Sequence, residues 1–169
     1  RLVWEKNLLL FAEVIQHLRK KYPQVKALVV GDGPAGPELK EKLPSAVYTG
    51  FLKGKELAKA YAGSDIFFFP SDTETFGNVT LEAMASGLPC VVADAVGSKS
   101  LVQHGKNGFL ADVAHSDKFY DYIEKLIADK SLRQQMAAAS LQAAKEYSWK
   151  NINGKLLSYY HEVLGLKKI

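Results

Sequence analysis

Two carboxylates and the residues between them are the part of this sequence best suited to chemistry. Glu74 and Glu82 stand eight positions apart, and a helix is predicted to begin between them, at Asn78. Glu74 then lies in a loop, and Glu82 lies about one turn inside the helix. Gly77 and the first helical residues would present unpaired backbone N–H groups, which are a natural seat for a phosphate. This order of acid, anion seat and second acid suits a ligand that carries a sugar, a diphosphate and a ribose.

The elements that must position these acids are a strand and the helix itself. The apolar run Ile66–Phe69 predicts a buried strand, and Pro70 stops it. The helix is predicted to end at Gly87, with Pro89 just beyond.

Apolar strands and helical segments alternate along the rest of the chain, which predicts an α/β fold. Such a pattern is typical of a three-layer, Rossmann-like parallel sheet covered by helices on both faces. Strands are predicted at 25–30, 46–49, 66–69, 88–93 and 108–111, and helices at 8–21, 38–43, around 57–61, and at 78–87, 117–129, 131–146 and 149–164. The last three helices form a helical C-terminal tail, for which Ser131 and Ser148 are the expected N-caps. No linker interrupts the pattern, so residues 1–169 are expected to form one domain.

Composition narrows the function class. Of the 169 residues, 47% are hydrophobic and 24% charged, which is typical of a globular protein, and no apolar run is long enough to span a bilayer. The single cysteine, Cys90, lies in an apolar run and is expected to be buried in a strand, which favours a reducing compartment. The net charge of +4 favours an anionic partner, but the lysines are scattered without exposed aromatics, so nucleic acid is not expected.

A glycine pattern after the first strand suggests an alternative. Gly31, Gly33 and Gly36 match G-x-G-x-x-G, the dinucleotide-binding pattern. However, Pro34 and Pro37 crowd the turn, the following helix is short, and the next strand ends without the acid that would hold a ribose. A nicotinamide-binding domain is therefore the less favoured hypothesis.

Several short motifs together carry a resemblance to a known family. The chain resembles the C-terminal, donor-binding half of retaining GT-B glycosyltransferases in the large group 1 family, which includes bacterial mannosyltransferases. The resemblance covers nearly the whole chain and rests on Arg1-Leu2, Glu5-Lys6-Asn7, Val30-Gly31-Asp32-Gly33-Pro34, Gly50-Phe51-Leu52, Pro70-Ser71, Glu74-Thr75-Phe76-Gly77, Glu82-Ala83, Ala85–Pro89 and Asn107–Leu110.

The resemblance implies a role for each matching residue. Arg1 and Lys6 would hold the donor diphosphate and offset the charge that builds on it as the glycosidic bond breaks. Glu74 would contact hydroxyls of the donor sugar, and Glu82 would accept hydrogen bonds from both ribose hydroxyls. The remaining donor-binding positions would be Gly31, Gly33, Phe51 and Leu52 around the nucleoside, and Thr75, Phe76, Gly77, Asn78 and Val79 around the sugar and phosphates.

The resemblance also implies what lies outside this chain. The chain starts at what looks like a loop, so its first strand and the N-terminal acceptor-binding domain are expected to be absent. The isolated domain is then expected to bind a GDP-mannose or UDP-sugar donor but to be inactive in transfer. The acceptor would be a saccharide or lipid-linked saccharide, handled in the cytoplasm with peripheral contact at the inner membrane face.

Neither a metal nor another cofactor is expected, because Arg1 and Lys6 would supply the positive charge and the histidines have no partner at ligand spacing. The loop Ala95–Ser98 departs from the two glycines that the family often carries there. A nucleotide-sugar epimerase of the same architecture is the second alternative.

Overall fold

A computed structural model describes residues 1–165, in which strands and helices alternate up to the last strand and three helices follow it. A short 3₁₀ helix, Trp4–Lys6, precedes the first α-helix. The strands are β1 (Leu28–Val30), β2 (Val47–Gly50), β3 (Phe67–Phe69), β4 (Cys90–Ala93) and β5 (Gly108–Ala111). The α-helices are α1 (Leu8–Lys21), α2 (Gly36–Lys42), α3 (Gly54–Ala62), α4 (Asn78–Ala85), α5 (Val96–Leu101), α6 (Ser116–Ala128), α7 (Lys130–Lys145) and α8 (Trp149–Val163).

All strand pairs are parallel, as the alternating pattern predicts. Within the described residues the strands form two sheets, β1–β2 and β3–β4–β5, rather than one continuous sheet. Cys90 is paired with Phe67 on one side and with Gly108 on the other, so β4 is the central strand of the larger sheet. Val29 of the smaller sheet and Val91 of the larger one belong to the same apolar cluster, so a shared core joins the two sheets.

Helices cover both faces of the larger sheet, which gives the expected three layers. Successive side chains of a strand point to opposite faces. Val91 therefore packs with Leu18 of α1 and Phe119 of α6, whereas Val92 packs with Met84 of α4 on the other face. All four residues of β4 are buried, including Cys90, as predicted.

Three local expectations were wrong. The Phe67–Phe69 strand is half-buried rather than buried, because β3 is an edge strand paired only with β4 among the described elements. The loop after Asp94 contains a helix, α5. Ser148 caps α8 as expected, but α7 is capped by Asp129, whose carboxylate accepts from the Leu132 N–H at 2.9 Å.

None of the residues of the last helix, α8, is buried. Its aromatic side chains are largely exposed, 78% for Trp149 and 62% for Tyr159. No helix in residues 1–165 has the length and apolar character needed to cross a bilayer.

Candidate functional site

The residues singled out in the sequence lie in loops that follow the carboxyl ends of the strands. Gly31 follows β1, Phe51 follows β2, Glu74 lies in the loop after β3, and Gly97 lies in α5 just after β4. In open parallel sheets, ligands bind in the crevice formed by the loops at the carboxyl ends of the strands. The candidate residues of both sheets therefore lie at the carboxyl ends of their strands.

Lys6 and Glu74 form the central contact of the site. The Lys6 ammonium donates a hydrogen bond to Glu74 Oε1, and the two side chains are only 20% and 17% exposed. The ammonium also lies 5.7 Å from the centre of the Phe69 ring. Partial burial strengthens such a pair, because less water screens the two charges.

The Trp4–Lys6 helix and the adjoining Asn7 are tied to the loop that carries Glu74 by further hydrogen bonds. The Asn7 amide donates to Pro70 O at 2.9 Å and to Asp72 Oδ1 at 3.1 Å, and Thr73 donates to Glu5 O at 3.3 Å. The sequence interpretation assigned no role to Asn7, although its position beside Lys6 in the Glu5-Lys6-Asn7 motif could have drawn attention to it.

Helix α4 begins next to Glu74 with an open N-terminus. Its N-cap, Gly77, has φ +88° and ψ +47°, a left-handed conformation that favours glycine, and no described side chain caps the helix. The positive end of the helix dipole and the N–H groups of Asn78 and Val79 together make a suitable seat for an anion.

Helix α5 supports the Glu74 loop from the other side. The Gly97 N–H donates to Glu74 O at 3.0 Å. A Cβ atom at position 97 would lie 2.6 Å from that same oxygen, so the contact is open only to glycine. The family often carries two glycines at Ala95–Ser98, but the single glycine here, Gly97, is sufficient for the contact with Glu74.

Glu82 is exposed and is held by a tyrosine on a neighbouring helix. Tyr61 Oη in α3 donates to Glu82 Oε2 at 3.0 Å and lies 3.4 Å from Val79 O. Burial, and secondarily the negative charge of Glu82, raise the pKa of the Tyr61 phenol, so it stays a hydrogen-bond donor at neutral pH. In the sequence Tyr61 was only a marker of a helix, and nothing local indicated this contact.

The glycines after β1 lie against the start of the chain. A Cβ at Gly33 would lie 2.3 Å from Leu2 O, and Leu2 N donates to Asp32 O at 2.9 Å. The close approach that demands glycine at position 33 is therefore to the chain's own backbone. This contact holds the exposed Arg1 beside the glycine turn.

The aromatic candidates differ in their surroundings. Phe51 is 70% exposed, with the Lys53 ammonium 5.3 Å from its ring centre, and Leu52 next to it is half-buried. Phe76 is 40% exposed and packs edge-on against Tyr147 at 6.1 Å, while its neighbour Thr75 is exposed. These exposed rings are available to stack on a planar group.

No group of three or more histidine, cysteine, aspartate or glutamate side chains in residues 1–165 is arranged to hold a metal ion. The Lys6 ammonium, in contact with Glu74 in the loop before α4, brings a cationic side chain to this part of the site.

Known proteins are similar to this chain in both sequence and fold. The family model for group 1 glycosyl transferases matches residues 1–129. A GDP-mannose-dependent alpha-mannosyltransferase of Corynebacterium glutamicum is 36% identical over 144 residues, which cover 85% of this chain and 35% of that protein. The chain spans about a third of the length of its curated relatives.

Two solved structures have the same fold and are 27% identical in sequence. HepE from Anabaena, in complex with UDP and glucose, superposes with a TM-score of 0.83 over 96% of this chain and 46% of its own. The C-terminal domain of LpcC, a group 1 family glycosyl transferase from Francisella tularensis, superposes with a TM-score of 0.79 over 88% of this chain and 83% of its own. The chain therefore belongs to the group 1 glycosyltransferases, and its fold is that of the C-terminal domain of their two-domain GT-B architecture.

Proposed function

We propose that this chain is the donor-binding domain of a retaining hexosyltransferase that uses a nucleotide-diphospho-sugar. The contact between Lys6 and Glu74 beside the open N-terminus of α4 carries the proposal. A cation, a carboxylate and a set of free N–H groups at one point match the two chemical halves of such a donor, its diphosphate and its sugar.

The diphosphate would bind to the cationic and N–H groups. Arg1, Lys6 and the N–H groups of Asn78 and Val79 would stabilise the charge that develops on the leaving nucleoside diphosphate, which is where preorganised positive charge lowers a barrier most. No metal ion is needed in this scheme, because the side chains and the helix dipole supply the positive potential.

Glu74 would orient the donor sugar by accepting hydrogen bonds from its hydroxyls. To do so it must share Lys6 with the ligand, so donor binding would exchange part of the Lys6–Glu74 hydrogen bond for contacts with phosphate and sugar. Glu82, held by Tyr61, would accept from the two ribose hydroxyls, and the base would stack near Phe51 and Leu52.

The acceptor would be a saccharide or lipid-linked saccharide bound by a second domain. Because the reaction would take place between the two domains, the isolated chain would bind the donor but not transfer its sugar. We further propose a cytoplasmic enzyme with peripheral contact at the inner membrane face, for which the exposed apolar side chains of α8 are suited.

The relatives in sequence and the similar solved structures support both a mannose and a glucose donor. The Corynebacterium relative uses GDP-mannose, and the Anabaena structure holds UDP and glucose. These likenesses favour a transferase over an epimerase, and the short α2 after the glycine turn speaks against a nicotinamide site.

Titration calorimetry with UDP, GDP, ADP and NAD tests the proposal. We expect binding of UDP or GDP in the micromolar range without added metal, and no binding of NAD. Binding of NAD together with no response to the three nucleoside diphosphates would overturn it.

A further inference from the structure

Asn7 stands at a point of the chain where few residue types are tolerated. Its φ of +53° and ψ of +43° make it the one non-glycine residue with positive φ among residues 1–165. Asparagine adopts this left-handed conformation more readily than most residues. The residue ends the Trp4–Lys6 helix through its N–H, which donates to Trp4 O at 3.0 Å, and begins α1 through its carbonyl, which accepts from Phe11 N at 3.0 Å.

The side chain of Asn7 makes two long-range hydrogen bonds. Both go to the loop that leads to Glu74, one to Pro70 O and one to Asp72 Oδ1, across 63 and 65 residues of sequence. An amide has two N–H donors, and both are used here. The backbone of Asn7 therefore sets where Lys6 emerges, and its side chain sets where the Glu74 loop lies.

We infer that Asn7 is a positioning residue that aligns Lys6 with Glu74 for donor binding. The inference rests on the proposed function for its link to the donor, but the alignment itself is a property of the unliganded chain. Asn7 acts through its two neighbours in space and needs no contact with the donor. Without the amide, the hydrogen bonds to Pro70 and Asp72 are lost and the Glu74 loop is no longer fixed relative to Lys6. The flexible lysine side chain then samples many positions away from Glu74.

A stability experiment tests the alignment without any ligand. The coupling between Lys6 and Glu74 is measured by urea unfolding of Lys6→Met, Glu74→Gln and the double variant. The same cycle is then repeated in the Asn7→Gly background, which permits the left-handed backbone conformation and removes the side chain with its amide. We expect the coupling to fall to near zero in that background.

A merely structural Asn7 would give a different result. Asn7→Gly would then lower the overall stability but leave the Lys6–Glu74 coupling at its original value, and this outcome would overturn the inference. Asn151→Ala is the matched control and should leave the coupling intact. Its side-chain amide also donates a hydrogen bond of 2.9 Å to a backbone oxygen, that of Lys145, but far along the chain. If Asn7→Gly does not fold, Asn7→Asp also tolerates the conformation and lacks the donors, and a preserved coupling there would be equally contrary.

Titration with UDP and GDP then measures the effect of Asn7 on donor binding. We expect Asn7→Gly to weaken UDP or GDP binding by about tenfold, the loss of two ordinary hydrogen bonds acting through Lys6. In the Lys6→Met background the same change should cost no more than about twofold. A full tenfold loss in that background would contradict a role through Lys6. Should the unaltered chain bind no nucleotide while the stability cycle behaves as expected, the proposed function fails and the alignment by Asn7 stands.

Discussion

Lys6 hydrogen-bonds Glu74 across 68 residues of sequence, and this contact joins the first loop of the chain to the loop after β3. Both side chains are mostly shielded from solvent. The pair concentrates opposite charges at the open end of α4, where an incoming diphosphate would compete with Glu74 for the ammonium.

Lys6→Met should weaken nucleoside diphosphate binding, because it removes a partly buried cation and keeps the length of the side chain. The loss of a charge-assisted hydrogen bond is worth about 1.5–3 kcal/mol, or roughly 10- to 100-fold in affinity. Titration calorimetry with UDP and GDP measures it. Lys59→Met is the control, since the salt bridge of Lys59 is with exposed Glu56 on the same helix, and it should bind like the unaltered chain. Equal affinities for all three proteins would show that Lys6 does not contact the diphosphate.

Glu82→Ala should lose the bidentate ribose contact, at a cost of about 1.5–3 kcal/mol in donor binding. The effect should be specific for the ribose hydroxyls. A 2′,3′-dideoxy nucleotide should therefore bind the variant and the unaltered chain with similar affinity. A variant that binds the ordinary nucleotide undiminished would rule out the ribose role.

Tyr61→Phe should have a smaller effect of the same kind, about 0.5–1.5 kcal/mol, because it removes the hydrogen bond that orients Glu82 and leaves the carboxylate itself in place. The ring packs 6.2 Å from that of Phe67, so the variant should retain its packing and its thermal stability. Calorimetry of Tyr61→Phe combined with Glu82→Ala gives the check. A double variant no weaker than Glu82→Ala alone indicates action through Glu82, whereas additive losses would mean that Tyr61 acts independently.

Gly97→Ala should destabilise the fold by about 1–3 kcal/mol, because its methyl group would meet the backbone oxygen of Glu74 at 2.6 Å. Urea unfolding measures the change. Gly154→Ala provides a control of opposite sign: a Cβ there meets nothing within 4 Å, and alanine in an exposed helix is favoured over glycine by about 0.5–1 kcal/mol. A Gly97→Ala protein as stable as the unaltered chain would show that α5 can move away from the Glu74 loop without cost.

The pair between Lys21 of α1 and Glu124 of α6 should make stability depend on pH. Hydrogen bonds from Lys21 and then Tyr22 hold the pKa of the Glu124 carboxyl below its ordinary value of 4.5. A lowered folded-state pKa means that the stabilisation is present above about pH 4.5 and is lost as the pH falls through the folded-state value.

Urea unfolding between pH 3 and 7 tests this sign. The stability difference between the unaltered chain and Glu124→Gln should shrink as the pH falls, and Lys21→Met should reduce the pH dependence in the same window. A difference that grows toward low pH would contradict the assignment.

Much of the local structure could be predicted from the sequence. The Leu8–Lys21 helix and the Gly108–Ala111 strand begin and end where their apolar patterns do. Helix α4 begins at Asn78 as expected, because Gly77 supplies the left-handed turn that starts it. These features depend on side-chain periodicity and on glycine or proline at the ends, and both are legible in a short window of residues.

Other features could not be predicted, because each depends on what lies opposite in space. The half-buried state of the Phe67–Phe69 strand follows from its edge position in the sheet. Helix α5 has only six residues and little apolar periodicity, and it is held by the contact of Gly97 with the Glu74 loop.

The same distinction between local sequence and spatial contacts applies to the candidate site. Residue types and their spacing were sufficient to predict the family and the fold class, and they indicated acids, a cation and glycines that would suit a donor. The contacts of Lys6 with Glu74, of Tyr61 with Glu82 and of Asn7 with the Glu74 loop became visible only in the folded chain. Those contacts join residues 21 to 68 positions apart, and a chain brings such residues together only when its core has packed.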